Sequence, residues 1–150
     1  MLSRVPIPKA QIYRIPSEID PDKAAKGYYK NIYEAFGLKD PVFDLILLGM
    51  GEDGHTASLF PNTEALNEKK PNVVASWVPS METTRITFTL PLINNAKNVF
   101  FLVKGKSKAM MVKEVLQPTG ASPAPPASLV QPTSGELYWF MDSLASAHLK

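Results

Sequence analysis

The chain has 150 residues, of which 45% are hydrophobic, and its formal net charge is +2. This length predicts one domain with its own core, and the composition is ordinary for a globular protein. The small charge gives no basis for nucleic-acid binding, and no apolar run reaches the roughly 18 residues of a membrane span. The lack of cysteine excludes disulfides and thiolate chemistry. The first residues lack the apolar core of a signal peptide, which favours a cytoplasmic location.

The first half of the chain predicts one strand, one helix and a second strand. The proline-rich start is predicted to be extended, with a short strand at 12–15. A helix follows, because Asp20 suits its N-cap, Pro21 its first position and Gly37 its end. The run Phe43–Leu48 is nearly all apolar, which is typical of a strand buried on both faces in a parallel sheet.

The second half continues the alternation of strands and helices. Strands are predicted at 73–78, 84–90, 98–103 and 136–140. An amphipathic helix is predicted at 106–116, and a last helix at 141–149 with Asp142 as its cap. Prolines exclude regular structure from 117–132, which is predicted to be a surface loop. The alternation predicts a single α/β domain with a mostly parallel sheet.

A glycine turn follows the predicted strand at 43–48. Gly49, Gly51 and Gly54 lie where a parallel strand ends, which is where ligands bind in open α/β sheets. Glycines let a ligand approach the backbone closely, and the N–H groups of such a turn can face an anion. A dinucleotide site is excluded, because Pro61 interrupts the next segment and no acidic residue ends the following strand.

His55 directly follows this turn and is predicted to begin a short helix. An imidazole with its ordinary pKa of about 6.5 can take a proton from water near neutral pH, and a helix N-terminus favours the uncharged ring. His55 is therefore the candidate general base, with a place in the surface or the core as the alternative. Asp53 is predicted to orient the ring, to cap the helix, or to do both. His148, near the chain end, is predicted to be an ordinary surface residue.

The sequence L-L-G-M-G-E-D-G-H-T-A-S-L-F-P at 47–61 resembles the signature of 6-phosphogluconolactonases. Residues 84–109 and 126–142 resemble later segments of that family in the same order, and residues 2–16 resemble its middle region. Glucosamine-6-phosphate deaminases share an Asp-Gly-His turn, but the Thr-Ala-Ser-Leu-Phe-Pro run after His55 is the lactonase form. The resemblance thus covers nearly the whole chain.

The resemblance implies a Rossmann-like fold related to the deaminases and hydrolysis of 6-phosphoglucono-δ-lactone without a metal or cofactor. It implies that His55 activates water and that Asp53 orients it, while the turn glycines and Thr56 contact the substrate. Arg85 is a candidate for holding the phosphate or the developing oxyanion, with a place on a strand edge as the alternative. Lys108 is a further candidate contact, and its alternative is a surface lysine. For Thr56, the alternative to a substrate contact is an ordinary structural role in the first turn after His55.

Members of that family are commonly longer, and the part absent here is N-terminal. The chain is therefore expected to expose apolar surface and strand edges, and to self-associate or bind the absent part. Many members also carry a lysine shortly before the position of Arg85, which this sequence lacks. A sugar-phosphate isomerase or deaminase and an inactive sugar-phosphate-binding fragment are the alternative functions.

Overall fold

The computed structural model describes residues 4–120 and 123–150. The helices are α1 (Pro21–Ala35), α2 (Leu90–Asn94) and α3 (Ala109–Leu116). The strands are β1 (Ile46–Leu48), β2 (Val73–Val78), β3 (Thr83–Phe88), β4 (Asn98–Val103) and β5 (Glu136–Met141). A parallel sheet has the strand order β1-β4-β5, and β2 and β3 form a separate antiparallel hairpin. The predicted α/β class with a mostly parallel sheet is confirmed.

Helix α1 begins and ends as predicted. The side chain of Asp20 accepts a hydrogen bond from the backbone N–H of Lys23 at 3.0 Å. Gly37, directly beyond the helix, has a φ of +69°. The N–H groups of Gly37 and Leu38 donate to carbonyls of the last helical turn, at 3.0 and 2.9 Å. This pair of bonds satisfies carbonyls that would otherwise lack a partner at the helix end.

The main core lies on one face of the three-stranded sheet. Alternate residues of β4 are buried there, and α3 and the 3₁₀ helix Pro126–Leu129 pack against the same face through Val112 and Ala127. Trp139 of β5 stacks on Phe101 of β4, with ring centroids 4.0 Å apart and an interplanar angle of 6°. These contacts hold β4 and β5 together beneath the glycine turn.

A second cluster joins α1 to the hairpin. Its buried members are Ala25, Ile32, Val73 and Leu92. Phe43, which precedes β1, packs against both this cluster and the main core. Its ring lies 5.1 Å from that of Phe36 and 5.6 Å from that of Phe88. Phe43 therefore connects the two clusters.

The opposite face of the three-stranded sheet is not covered by any described residue. It is formed by Leu47, Phe100, Leu102, Tyr138 and Phe140, and we call it the open sheet face. Leu47, Leu102 and Phe140 are 50%, 53% and 50% exposed, and Tyr138 is 44% exposed. The prediction that the run 43–48 is buried on both faces is therefore wrong. The composition predicts full burial, but elements of the described chain pack on one side of the sheet only.

Two further predictions need correction within the described residues, and one helix lies outside the predictions. Residues 12–15 form no strand, because no other strand pairs with them. Residue 141 ends β5, and residues 143–148 form turns instead of the predicted helix. Asp142 nevertheless caps the first turn by accepting a bond from the N–H of Ala145 at 2.8 Å. Helix α2 was not predicted, and Thr89 caps it.

The proline-rich segment is more ordered than predicted. Residues 121–122 lie outside the described part, but Pro126 and Ala127 are buried in a 3₁₀ helix. The N–H of Ala127 donates to the carbonyl of Gly54 at 2.9 Å. Part of this segment therefore supports the glycine turn rather than forming a surface loop.

Candidate active site

The glycine turn extends from the carboxyl end of β1, as predicted, and its own residues close it. The N–H of Gly51 donates to the carbonyl of His55 at 2.8 Å, and the N–H of Gly54 donates to the carbonyl of Gly51 at 3.2 Å. The hydroxyl of Thr56 donates to the carbonyl of Gly49 at 2.8 Å and is buried, with the residue 1% exposed. In this structure the Thr56 side chain therefore holds the turn together.

Asp53 fixes the orientation of the His55 ring. One oxygen of its carboxylate, Oδ1, lies 3.1 Å from the backbone nitrogen of His55 and 2.6 Å from Nδ1 of the ring. A carboxylate only accepts hydrogen bonds, so Nδ1 carries the proton and Nε2 of the neutral ring keeps its lone pair. Asp53 thus stabilises the turn through the backbone of His55 and leaves Nε2 of the ring free to act as a base.

The pKa of Asp53 is lowered by these same bonds. Partial burial raises the pKa, but the hydrogen bonds and charge of His55 outweigh that effect, and the pKa falls below its ordinary value. The carboxylate is therefore ionised at neutral pH, where it can stabilise a proton taken up by the ring.

The ring of His55 is closely confined. Phe60 stacks on it, with ring centroids 4.1 Å apart and an interplanar angle of 24°. In addition, a Cβ atom at Gly51 would collide with the ring and with the carboxylate of Asp53. Gly51 is therefore required by close approach, not by its backbone angles.

The other two glycines of the turn differ from Gly51. Gly54 has a φ of +78°, and a Cβ atom there would meet Pro125 at 2.5 Å. At Gly49 an added Cβ would meet no described atom within 4 Å. Gly54 is thus required by the fold of the turn, whereas Gly49 leaves room above the backbone for another molecule.

The predicted helix at His55 is wrong. Residues 55–60 form a tight turn, in which the N–H of Leu59 donates to the carbonyl of Thr56 at 2.8 Å. Ala57 has a φ of +50°, a left-handed conformation that ends a helical path. The argument from a helix N-terminus therefore does not apply to His55.

His55 borders a cavity of about 370 Å³. Gly49, Gly51, Lys108 and Leu47 also line it. The Lys108 side chain is 24% exposed, and its Nζ lies 3.9 Å from Oε1 of Glu52. Four of the predicted site residues, His55, Gly49, Gly51 and Lys108, thus line one cavity.

Arg85 borders a different cavity, of about 640 Å³, together with Arg14 and Ser58. Arg14 is already paired with Glu18 at 2.7 Å on the surface. The backbone N–H of Ser58 donates to the hydroxyl of Thr87 on β3, which ties the His55 turn to the strand of Arg85. The two cavities are therefore neighbours, but Arg85 does not share the cavity of His55.

Sequence reasoning missed the support that Asp142 gives to the site. Its carboxylate accepts the N–H of Gly105 at 3.1 and 3.2 Å, and Gly105 begins the turn that carries Lys108. A partial signal was available, because carboxyl ends of strands in the predicted, mostly parallel sheet lie at one edge. The sequence did not predict that β4 and β5 are neighbours. The stacking of Phe60 on His55 had no comparable signal in the sequence.

In residues 4–120 and 123–150, no three histidine, cysteine, aspartate or glutamate side chains gather in a way that could hold a metal ion. Over the same described residues, no helix has the length and apolar character needed to cross a membrane.

Known proteins resemble this chain in sequence and in fold. The family described as glucosamine-6-phosphate isomerases/6-phosphogluconolactonase matches residues 1–139. The 6-phosphogluconolactonases of Homo sapiens and Synechocystis sp. are 43% and 40% identical over 97% and 99% of this chain, which spans 57% and 62% of their length. The structure of 6-phosphogluconolactonase from Trypanosoma brucei is 27% identical with a TM-score of 0.80, covering 96% of this chain and 63% of that chain. The chain therefore belongs to the family of glucosamine-6-phosphate isomerases and 6-phosphogluconolactonases.

Proposed function

We propose that this chain carries the catalytic base of a 6-phosphogluconolactonase, which hydrolyses 6-phosphoglucono-δ-lactone to 6-phosphogluconate in the pentose phosphate pathway. The observation that carries the proposal is the His55–Asp53 pair, with 2.6 Å between Nδ1 and the carboxylate, at the edge of a cavity. The names of the human and Synechocystis relatives support the choice of substrate.

In the proposed reaction His55 acts twice. Its Nε2 takes a proton from water while the water oxygen attacks the lactone carbonyl carbon, which forms a tetrahedral oxyanion. The bond from that carbon to the ring oxygen then breaks, and the imidazolium returns its proton to the departing oxygen. Asp53 stabilises the charged ring between the two steps. A positioned base of this kind contributes about 10²–10⁴-fold to the rate.

Positive charge near this cavity suits an anionic substrate. We propose Lys108 as a contact for the oxyanion or the phosphate, because its ammonium group lines the cavity of His55. The N–H groups and open space at Gly49 supply a second possible contact. Arg85 is proposed to hold the phosphate of a substrate that extends into the neighbouring cavity, where its planar fork suits bidentate binding.

Replacement of His55 tests the proposal. His55→Ala is expected to lower kcat/KM for the lactone by about 10²–10⁴-fold, measured as proton release in a weakly buffered solution. His148→Ala, which changes an exposed histidine near the chain end, serves as the matched control and is expected to retain full activity. Unchanged lactone kinetics in the His55 variant would show that the base has been assigned wrongly.

A second candidate function is sugar-phosphate binding without turnover. It is favoured by one observation, namely that the chain spans only 57% of the human relative. Titration calorimetry with 6-phosphogluconate distinguishes the two. Binding without hydrolysis of the lactone supports the second candidate, whereas binding with hydrolysis supports the first.

A further inference from the structure

We propose that the methyl group of Ala57 is a substrate contact, which packs against C–H groups of a pyranose ring in the cavity of His55. Through this contact Ala57 helps to select a ring sugar phosphate. The inference takes that class of ligand from the proposed function, on which it rests. It does not require that the chain hydrolyse the ligand.

The backbone of Ala57 lies in the left-handed region, with a φ of +50°. It is the first central residue of a tight turn, which the N–H of Leu59 closes by donating to the carbonyl of Thr56 at 2.8 Å. Alanine is strained in this conformation, because its Cβ approaches the backbone closely, whereas glycine is not. The turn alone therefore favours glycine and does not explain an alanine.

The residues on either side hold Ala57 in this conformation. Thr56 and Leu59 are buried, at 1% and 0% exposure. The N–H of Ser58 donates to the hydroxyl of Thr87 on β3 at 3.1 Å. Non-glycine residues persist in sparsely populated conformations only where the surrounding structure determines them, and they gather at ligand sites. The position of the Ala57 methyl group is thus fixed by the fold.

The methyl group contributes to neither hydrophobic cluster of the described residues. Ala57 is exposed and belongs to no cluster, but it lines the cavity of His55. The other non-glycine residues with a positive φ in the described part of the chain do not line that cavity; they are Leu38, Asn62 and Glu82. Ala57 thus combines a strained backbone with a side chain that faces ligand space instead of the core.

The lining of this cavity suits a sugar ring. Leu47, Met50 and Ala57 supply aliphatic groups, whereas His55 and Lys108 supply polar groups. A pyranose ring has C–H groups on its faces and oxygen atoms around its rim, so it can satisfy both kinds of lining. Covering one methyl group with such a face contributes about as much as burying one methylene, which is a roughly fourfold gain in affinity.

A purely conformational role is the competing account. Alanine restricts the unfolded chain more than glycine does, which offsets part of the strain in the folded state. On that account residue 57 needs only to accept a positive φ, and glycine and asparagine, which tolerate it best, would serve equally well. A ligand contact makes the opposite prediction, since glycine removes the methyl group and asparagine replaces it with a larger polar group.

Titration calorimetry with the full chain tests the proposal. The probe is 1,5-anhydroglucitol 6-phosphate, which keeps the ring and the phosphate of the proposed substrate but has no carbonyl group to hydrolyse. We expect Ala57→Gly to raise the Kd of the probe about fourfold. Ala57→Asn is expected to raise it further, because the larger side chain occupies space that the ring needs.

Glu82→Gly is the matched control. Glu82 has a φ of +47° in the connection between β2 and β3, and it does not line the cavity of His55. The substitution therefore relieves the same kind of strain at a distant place, and the Kd of the probe should equal that of the parent chain. Thermal unfolding checks that all three variants are folded.

Three outcomes would overturn the proposal. An unchanged Kd in Ala57→Gly would show that residue 57 has a conformational role only. An equal loss of affinity in Glu82→Gly would show a general effect on the fold. A parent chain that does not bind the probe would exclude the ring contact. Binding of the probe without hydrolysis of the lactone, in contrast, would count against the proposed function alone.

Discussion

The position of one imidazole depends on a residue that has no side chain. The ring of His55 occupies the space where a Cβ of residue 51 would lie, and its Nδ1 contacts Asp53. Gly51→Ala is therefore expected to displace the ring and break that contact, with loss of the hydrogen-bonded Nδ1 proton signal in a nitrogen-proton NMR spectrum. Gly49→Ala, where the added carbon meets no described atom within 4 Å, should leave the signal unchanged. Matching spectra for the two variants would rule out the steric account.

Asp142 gives the chain a defined sensitivity to acid. Hydrogen bonds from the N–H groups of Gly105 and Ala145 lower its pKa. A carboxylate with a lowered folded-state pKa stabilises the fold above its unfolded value of about 3.9, and that contribution is lost as the pH falls through the folded-state value. Asp142→Asn should therefore be less stable than the parent chain at pH 7, and the difference should shrink towards pH 2.

Urea unfolding at a series of pH values measures this effect. Asp44→Asn is the control, because Asp44 is 87% exposed in a surface ion pair with Lys97 and such pairs contribute little. A destabilisation of the Asp142 variant that stayed constant from pH 7 to pH 2 would indicate a purely steric effect.

At the scale of elements, the hydroxyl of Thr89, which lies between β3 and α2, ties the start of α2 to the segment that precedes β2. Thr89 Oγ1 accepts the N–H of Asn72 at 3.0 Å and donates to the carbonyl of Lys70 at 2.9 Å, and the residue is fully buried. Thr89→Val keeps the shape but leaves both backbone groups without this partner. We expect the free energy of unfolding to fall by about 1–3 kcal/mol, measured by urea denaturation. Thr84→Val, at a half-buried position of β3, should lower the free energy of unfolding by less. Equal losses for the two variants would show that the buried hydrogen bonds of Thr89 do not account for the effect.

Elements bounded by clear turn residues could be predicted from the sequence. Strands β2 and β4 begin and end at the predicted residues, because each is an apolar run between polar or proline positions. Helix α2 could not be predicted, since it has five residues and its existence depends on the Thr89 cap. The apolar spacing at 141–149 predicts a helix, but the structure has turns at 143–148, because apolar spacing alone does not fix the backbone path after a strand.

The candidate site, too, could be predicted from the sequence only in part. Asp53 and His55 are two positions apart, so their contact followed from local geometry. Lys108 reaches the same cavity because β1 and β4 are parallel neighbours. The alternation predicted a mostly parallel sheet, but not that these two strands are adjacent. Whether Arg85 joins them depends on how the hairpin packs, and that packing has no local signal. The roles of these residues in a reaction remain predictions until the His55 variant is assayed.

For the whole molecule, Phe43 links the two hydrophobic clusters. Phe43→Ala removes the ring that contacts Phe36 and Phe88, so α1 should be held less firmly to the main core, whereas the hairpin keeps its own contacts through Val74 and Phe88. For a completely buried phenylalanine this substitution would lower the free energy of unfolding by about 3–5 kcal/mol. Phe43 is only half-buried, so the expected loss lies at the low end of that range. Faster hydrogen exchange in α1 than in β4 is the expected signature.

Phe100→Ala provides the comparison for Phe43. Phe100 is also half-buried, but it lies on the open sheet face, away from α1. Its replacement should leave the exchange rates of α1 unchanged. If both variants accelerate exchange in α1 equally, the clusters are not joined through Phe43.

The stacking of Trp139 on Phe101 equips the chain with an optical reporter of its own. The protein has two tryptophans, and the other, Trp77, is largely exposed. An indole held at 6° to a neighbouring ring has a fixed chiral environment, which produces a near-ultraviolet dichroism band, whereas an indole in water emits at longer wavelengths. The dichroism band reports on Trp139, whereas the long-wavelength fluorescence reports on Trp77. Melting of the β4–β5 pair can therefore be followed apart from events at the hairpin, without any added label.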